Sequence, residues 1–403
     1  MPFLTIGDNL FEVGAIHPDR ILFDCLMPTP HGTTYNAYLI VGKDKTALID
    51  TVDPEKTSVL MDNLAEAGVD HIDYIVSLHT EQDHSGSIET VLRKYPEAIV
   101  VANAKVKEMA ITHLHLAEDK IKLIAEGDKL ELGGKTLQFT MIPFAHWPDN
   151  YMAHLLEDNI LFSSDLFGSH FSSPNKAFST SSSDQVRAAK HYYAEIMMPY
   201  RTHVQKYVAK VRQMGPRMIA PSHGPIWSDP EVILSGYERW TGDAVKRLVT
   251  IPYISMHDST RVMVDRLAVK LSEQGLSVVC RNLGEDTNSM AVETGHFITD
   301  LVDAAAVVFA SSTVLGGPHP AVAYAALVAN AMRPKTKFFG LIGSFGWGTQ
   351  ITNIVNTLTA NLKVERLDPV LVKGLPRDED LKHIDALAKD LADKILALPE
   401  LTR

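Results

Sequence analysis

Cysteine is nearly missing from this chain: Cys25 and Cys280 are the only two in 403 residues. Two thiols so far apart in sequence cannot form a disulfide framework, an iron–sulfur cluster or a rubredoxin-like Cys-x-x-Cys pair. Any bound metal must use His, Asp and Glu, a donor set that favours iron, manganese or zinc. Positive charge is also scarce. The 38 Lys and Arg face 49 Asp and Glu, and the net charge of -11 argues against a nucleic-acid surface. No apolar run approaches the ~20 residues of a membrane span. The N-terminus has no basic region followed by an apolar core, so no signal peptide is read there and the expected compartment is the cytoplasm. No internal repeat or low-complexity segment is present. What remains is 45% hydrophobic and 22% charged, the balance of a soluble globular protein. The chain is too long for one ordinary core, and two domains are expected.

The two parts differ in pattern. Early in the chain, Asn36–Val41 and Thr46–Asp50 flank Gly42-Lys43-Asp44-Lys45 as a hairpin would. Pro54 through Gly68 reads as a helix with Pro near its start and Gly at its end. Ser85 to Lys94 reads as another helix and Ala98 to Val101 as a strand. From 121 to 163, short apolar runs separated by turn signals predict an antiparallel sheet. Ser172 to Asp184 reads as a surface loop, and Gln185 to Met214 as helix interrupted at Pro199. After about residue 249, apolar runs alternate with helices, including Ser259 to Gln274 with Val264, Leu267, Ala268 and Leu271 on one face. The α/β reading is an αββα sandwich over residues 1–248 and a doubly wound parallel sheet over 249–403.

The densest chemistry lies in His79-Thr80-Glu81-Gln82-Asp83-His84, directly after the strand-like Tyr74-Ile75-Val76-Ser77-Leu78. Alternate residues of an extended segment share a face, so His79, Glu81 and Asp83 are expected to point the same way. Three more candidates, His146, Asp165 and His223, also follow apolar runs. Clustered ligand types at strand ends mark a site. Isolated histidines read differently, and His170, His191, His203 and His319 are taken as capped or surface residues. Asp50, ending a strand, is expected to orient the fold or a ligand histidine.

In the second part, Ser255-Met256-His257-Asp258-Ser259-Thr260 lies between the first strand and first helix. Hydroxyls and N–H groups at a helix N-terminus suit a dianionic phosphate, though they also serve as ordinary caps. Ser311 to Gly317 and Gly343 to Thr349 follow later strands at the carboxyl edge of the sheet, where a ligand would sit at the topological switch point. Asp258 adds a negative charge that fits only if its carboxylate faces solvent. Pro252 removes an N–H from a strand expected to be interior.

The ligand series resembles metallo-β-lactamase-like hydrolases, whose first motif is His-x-His-x-Asp-His, with Glu81 in place of the second His. The extra carboxylate hardens the site toward iron, and in this form the series resembles the flavodiiron proteins. That resemblance covers essentially the whole chain and implies a metallo-β-lactamase-like domain followed by a flavodoxin-like domain. It implies one iron on His79, Glu81 and His146, a second on Asp83, His84 and His223, and Asp165 bridging them. Tyr193 would be either a donor near the irons or a core tyrosine. FMN would contact Ser255, Met256, His257, Asp258, Ser259 and Thr260, then Ser312, Thr313, Val314, Leu315 and Gly316, then Ser344, Phe345, Gly346, Trp347 and Gly348. The implied activity is reduction of dioxygen to water, or of nitric oxide to nitrous oxide. With no rubredoxin module after residue 403, electrons would come from a separate rubredoxin or a reduced deazaflavin. The implied assembly is a head-to-tail homodimer, or a dimer of such dimers, with no membrane or nucleic-acid partner. Two other readings compete: a metal-dependent hydrolase of the metallo-β-lactamase type, and an electron carrier or oxygen sensor using FMN alone.

Overall fold

Strand alternation explains the first part of the molecule. In a computed structural model, which describes residues 3–23, 27–172, 178, 182–284, 289–399 and 401–402, Tyr38 and Ile40 enter one shared core while Leu39 between them does not. The same period of two selects Ala47 and Ile49, Leu137 and Phe139, Tyr151 and Ala153, and Ile160 and Phe162. These residues come from two sheets, so their common core is the filling of a sandwich.

One sheet runs in the order Leu4–Gly7, Leu10–Glu12, Tyr38–Val41, Thr46–Ile49, Tyr74–Val76, Ile99–Ala102, Ile121–Leu123. Its first four strands are antiparallel and the last three join in parallel. The other contains Lys129–Glu131, Thr136–Met141, Tyr151–Leu155 and Ile160–Phe162 as an antiparallel ladder. Met218–Ala220 adds to it in parallel. The expectation of one antiparallel sheet from 121 to 163 is therefore corrected at its start. Ile121–Leu123 pairs in parallel with Ile99–Ala102 in the first sheet, because strand partners are chosen by tertiary packing rather than by sequence neighbourhood. Leu39, Leu48, Ile75 and Val100 are buried although they face away from the sandwich core. Helices Thr57–Glu66, Ile88–Lys94 and Ala104–Leu114 alternate with the strands of this sheet, and Arg201–Met214 leads into Met218–Ala220 of the other, the element order of an αββα arrangement.

The second part is a sheet whose central strands are parallel and ordered Ser277–Asn282, Val245–Ile254, Ala304–Val314, Phe338–Phe345, Glu365–Arg366, with Val370–Lys373 also pairing to Phe338–Phe345. This is the 2-1-3-4-5 order of flavodoxin-like sheets. Along Ala304–Val314 the side chains divide by parity. Ala306, Val308 and Ala310 meet helices Ser259–Glu273 and Asp378–Leu396. Val307 and Phe309 meet Ser289–Leu301, Pro320–Met332 and Ile351–Leu358. Burying a Val, Leu or Phe contributes roughly 1.5–3 kcal/mol each, so helices on both faces are the condition for a strand apolar on both sides. Pro252 does lie in an interior strand.

The chain divides into two compact units, Met1–Cys25 with Thr29–Tyr193 and Tyr200–Glu238, and Leu26–Pro28 with Ala194–Pro199 and Arg239–Arg403. The expected division at 248/249 falls inside the strand Val245–Ile254, which lies whole in the second unit. Cys25 and most of the Ser172–Asp184 segment lie outside the described residues. Among the described residues, no helix is long and apolar enough to cross a membrane.

Candidate metal centre and flavin cradle

The His79–His84 segment is not one extended strand. The strand stops at Val76, and Gln82–Ser85 forms a single helical turn. Ser85 closes that turn by donating its hydroxyl to the carbonyls of Thr80 (2.7 Å) and Glu81 (2.9 Å). The expected shared face is thereby corrected. His79 and Glu81 group with His146 and Asp165, whereas Asp83 and His84 group with His223.

In the first group, His79 Nε2 lies 3.1 Å from Glu81 Oε2 and 3.6 Å from Asp165 Oδ2. His146 Nε2 lies 3.4 Å from Glu81 Oε2 and 3.3 Å from Asp165 Oδ2. In the second, Asp83 Oδ2 lies 3.3 Å from His84 Nε2 and 3.0 Å from His223 Nε2. Asp165 Oδ1 lies 3.1 Å from His84 Nε2 and 3.6 Å from His223 Nε2. Asp165 thus turns one oxygen to each group.

Both oxygens of Asp83, both oxygens of Asp165 and both ring nitrogens of His84 are buried without an aligned hydrogen bond. Uncompensated burial of so many polar atoms is unfavourable unless something else satisfies them. The electrostatics agree. Burial disfavours the cationic forms of His79, His84 and His146, but neighbouring carboxylates outweigh it. Asp149, Glu81 and Asp165 hold His79 well above the ordinary imidazole range. Asp83 and Asp165 push His84 up to about 10, and Asp165 and Glu81 raise His146. Burial opposes ionisation of Asp165 and Glu81 as well, yet the surrounding imidazoles hold both carboxyls below their usual range. The cage is built to hold positive charge, and its oxygen and nitrogen donors fit iron.

Contacts behind the imidazoles, from side chains and backbone, aim the donors. Asp149 receives the Nδ1–H of His79, with both carboxylate oxygens at 3.1 Å. His223 donates Nδ1–H to the Thr34 carbonyl at 2.6 Å. Gly224 is required beside it: its φ is +77°, and a Cβ there would meet Ser169 Oγ at 2.1 Å. Asp50 accepts from Leu78 N (2.7 Å) and Ser222 Oγ (3.1 Å), tying together the chain segments that precede His79 and His223.

In the second unit three segments converge on Thr260. Its hydroxyl lies 3.1 Å from Ser312 Oγ and 2.9 Å from Ser344 Oγ, and Met256 N donates to Ser312 Oγ at 3.3 Å. Thr313 Oγ1 donates to the Ser344 carbonyl at 2.8 Å. The segment from Ser311, expected to follow its strand, remains strand through Val314 and turns at Leu315 and Gly316, both with positive φ. Asp258 points to solvent and pairs with Arg261 at 3.1 Å, so its charge is directed away from the helix start. Met256, Leu315 and Trp347 are exposed apolar side chains on these three segments, Trp347 to 97%. Apolar surface gathered around a hydroxyl-lined helix N-terminus suits a planar ring carrying a phosphate.

A family model described as ODP family beta lactamase matches residues 33–224. The coenzyme F420H2 oxidase of Methanothermobacter marburgensis is 35% identical, over 97% of this chain and 98% of that protein. The nitric oxide reductase of Moorella thermoacetica is 32% identical, over 97% of this chain and 98% of its own length. The solved structure of rubredoxin oxygen:oxidoreductase from Desulfovibrio gigas aligns with a TM-score of 0.92 at 27% identity, over 98% of this chain and 99% of that one. The chain belongs to the flavodiiron protein family. As a flavodiiron oxidoreductase it has the metallo-β-lactamase-like and flavodoxin-like pair of folds, and the hydrolase reading is not favoured.

Two residues of this flavodiiron chain carry more than their sequence context suggested. His170, read as a capped or surface histidine, is buried with its ring centroid 5.1 Å from that of His223 and Nδ1 2.8 Å from Thr33 Oγ1. Its position five residues past Asp165 was the only signal. Asp149 was visible beside His146 but had no assigned role. Tyr193 is fully buried with its ring centroid 5.4 Å from that of Tyr237, while the ring of neighbouring Tyr192 lies 5.8 Å from His223.

Proposed function

We propose that this chain takes electrons through FMN and reduces dioxygen to water, or nitric oxide to nitrous oxide and water, at a pair of irons. The observation that carries the reading is Asp165, which directs one oxygen to each of two His–carboxylate groups. His79, Glu81 and His146 would hold one iron; Asp83, His84 and His223 would hold the other. Asp165 would bridge them, and an anion between two cations lessens their repulsion. When bound, the irons supply paired one-electron redox chemistry, and FMN passes electrons singly or in pairs. Around them the protein orients the imidazoles through Asp149 and the Thr34 carbonyl and keeps the donors dry. Ser255 to Thr260 would hold the phosphate at the helix start, with Ser312–Gly316 and Ser344–Gly348 around the ring. Tyr193 remains a candidate donor near the irons.

The electron donor would be a separate rubredoxin or reduced deazaflavin, matching the names of two relatives. The functional assembly would be a head-to-tail homodimer, alone or paired into a dimer of dimers, acting in the cytoplasm. Metal and flavin analysis tests the reading, with about two irons and one FMN per chain expected. The chemically reduced protein should then reoxidise rapidly with O2, NO or both in separate anaerobic mixing runs. Slow reoxidation by both gases would sink the reductase reading, and zinc without flavin would restore the hydrolase.

A further inference from the structure

Counted by their nearest donors, the two halves of the metal centre are equal. Each has two histidines, one carboxylate of its own and one oxygen of Asp165. The inequality lies one bond further out. His79 Nδ1 faces both oxygens of Asp149 at 3.1 Å. In the other half, His223 Nδ1 faces the neutral Thr34 carbonyl at 2.6 Å, and His84 Nδ1 has no aligned hydrogen-bond acceptor among the described residues.

Asp149 is itself rigidly held. It is fully buried, and its Oδ2 accepts from Thr80 N and Thr80 Oγ1, each at 2.8 Å. Its carbonyl accepts from Asn103 Nδ2 at 2.7 Å. A carboxylate on the far nitrogen of a ligand imidazole fixes the tautomer and raises the basicity of the metal-facing nitrogen, more than a carbonyl does.

We propose that Asp149 is a positioning residue that makes the two metal positions unequal, strengthening the His79–Glu81–His146 position so that it fills first and gives up its ferric state last. The proposal rests on the diiron reading above. It implies that the first electron to reach the pair resides at the Asp83–His84–His223 position.

Two variants with opposite expected signs test it. Asp149→Asn removes the charge with little change of shape, and removal of such a partner lowers metal affinity about 10- to 100-fold. Thr80→Val removes a hydrogen bond that draws charge away from Asp149 Oδ2, which should strengthen its hold on His79. Iron-57 Mössbauer spectra at sub-stoichiometric iron, with chelator challenge and redox titration, resolve the two positions. In wild type one position should fill first. In Asp149→Asn that preference should disappear or reverse, and the midpoint potential of that iron should rise while its partner's moves less. In Thr80→Val the same potential should fall. Equal shifts at both irons, or shifts of the same sign in both variants, would show a merely structural role and overturn the proposal. A wild-type protein that takes up no metal pair would overturn the diiron reading and this proposal together. Two irons filling without preference in wild type would overturn only the proposal.

Discussion

Asp165→Asn is the substitution on which the proposed two-metal arrangement depends most directly. Asn keeps the shape but has one oxygen, and its amide nitrogen carries hydrogens and cannot ligate. Asp165 is buried, with Oδ1 3.1 Å from His84 and Oδ2 3.3 Å from His146. Whichever way the amide turns, one group keeps its fourth donor and the other faces an NH2. Removing one partner of a buried charge pair costs roughly 3–5 kcal/mol, which at 1.4 kcal/mol per tenfold is about a hundredfold to several thousandfold in affinity. Anaerobically purified wild type and variant, dialysed against the same chelator, should retain about two irons and about one iron per chain by elemental analysis. Far-UV circular dichroism and FMN content should be unchanged, since Asp165 and the flavin cradle belong to different units. A variant that keeps two irons with wild-type chelator resistance would refute the bridging role.

The proposed flavin cradle supports two further tests. Trp347→Ala removes a side chain 97% exposed, so the melting temperature of the FMN-free protein should not move. The FMN dissociation constant, read by fluorescence titration, should rise about 2- to 13-fold for the loss of 0.5–1.5 kcal/mol of ring stacking; an unchanged constant would mean that Trp347 does not cover the ring. Thr260→Val deletes the hydroxyl that joins Ser312 and Ser344. At about 0.5–1.5 kcal/mol per hydrogen bond, the second unit should lose roughly 1–3 kcal/mol in denaturant melts and bind FMN more weakly. Identical midpoints would show that the hydroxyl is not what ties the three segments.

Much of this was legible because it is local. Apolar alternation predicted the hairpin Tyr38–Val41 with Thr46–Ile49, and the βα alternation after residue 249 predicted a doubly wound sheet. His319 caps the helix Pro320–Met332 as an isolated histidine at such a position would. Ligand chemistry is equally local: seven His, Asp and Glu at the ends of apolar runs were recognisable without knowing what lay beside them. Adjacency was not legible from the residue pattern alone; only the family resemblance implied the two groups. The turn Gln82–Ser85 separates Asp83 from Glu81, and its closure by Ser85 is a geometric outcome that no two-residue period contains. His170 reached the wall of the site, and Asp149 reached His79, 70 residues earlier in the chain, only through the folding of strands upon one another. By itself the sequence determined which elements form and which donors stand at their ends, since hydrophobic period and side-chain chemistry travel with the residues. The division of those donors into two groups was implied beforehand by the family resemblance and not by the residue pattern, and only the tertiary structure decided which carboxylate stands behind which imidazole, because such pairings depend on distances across the fold.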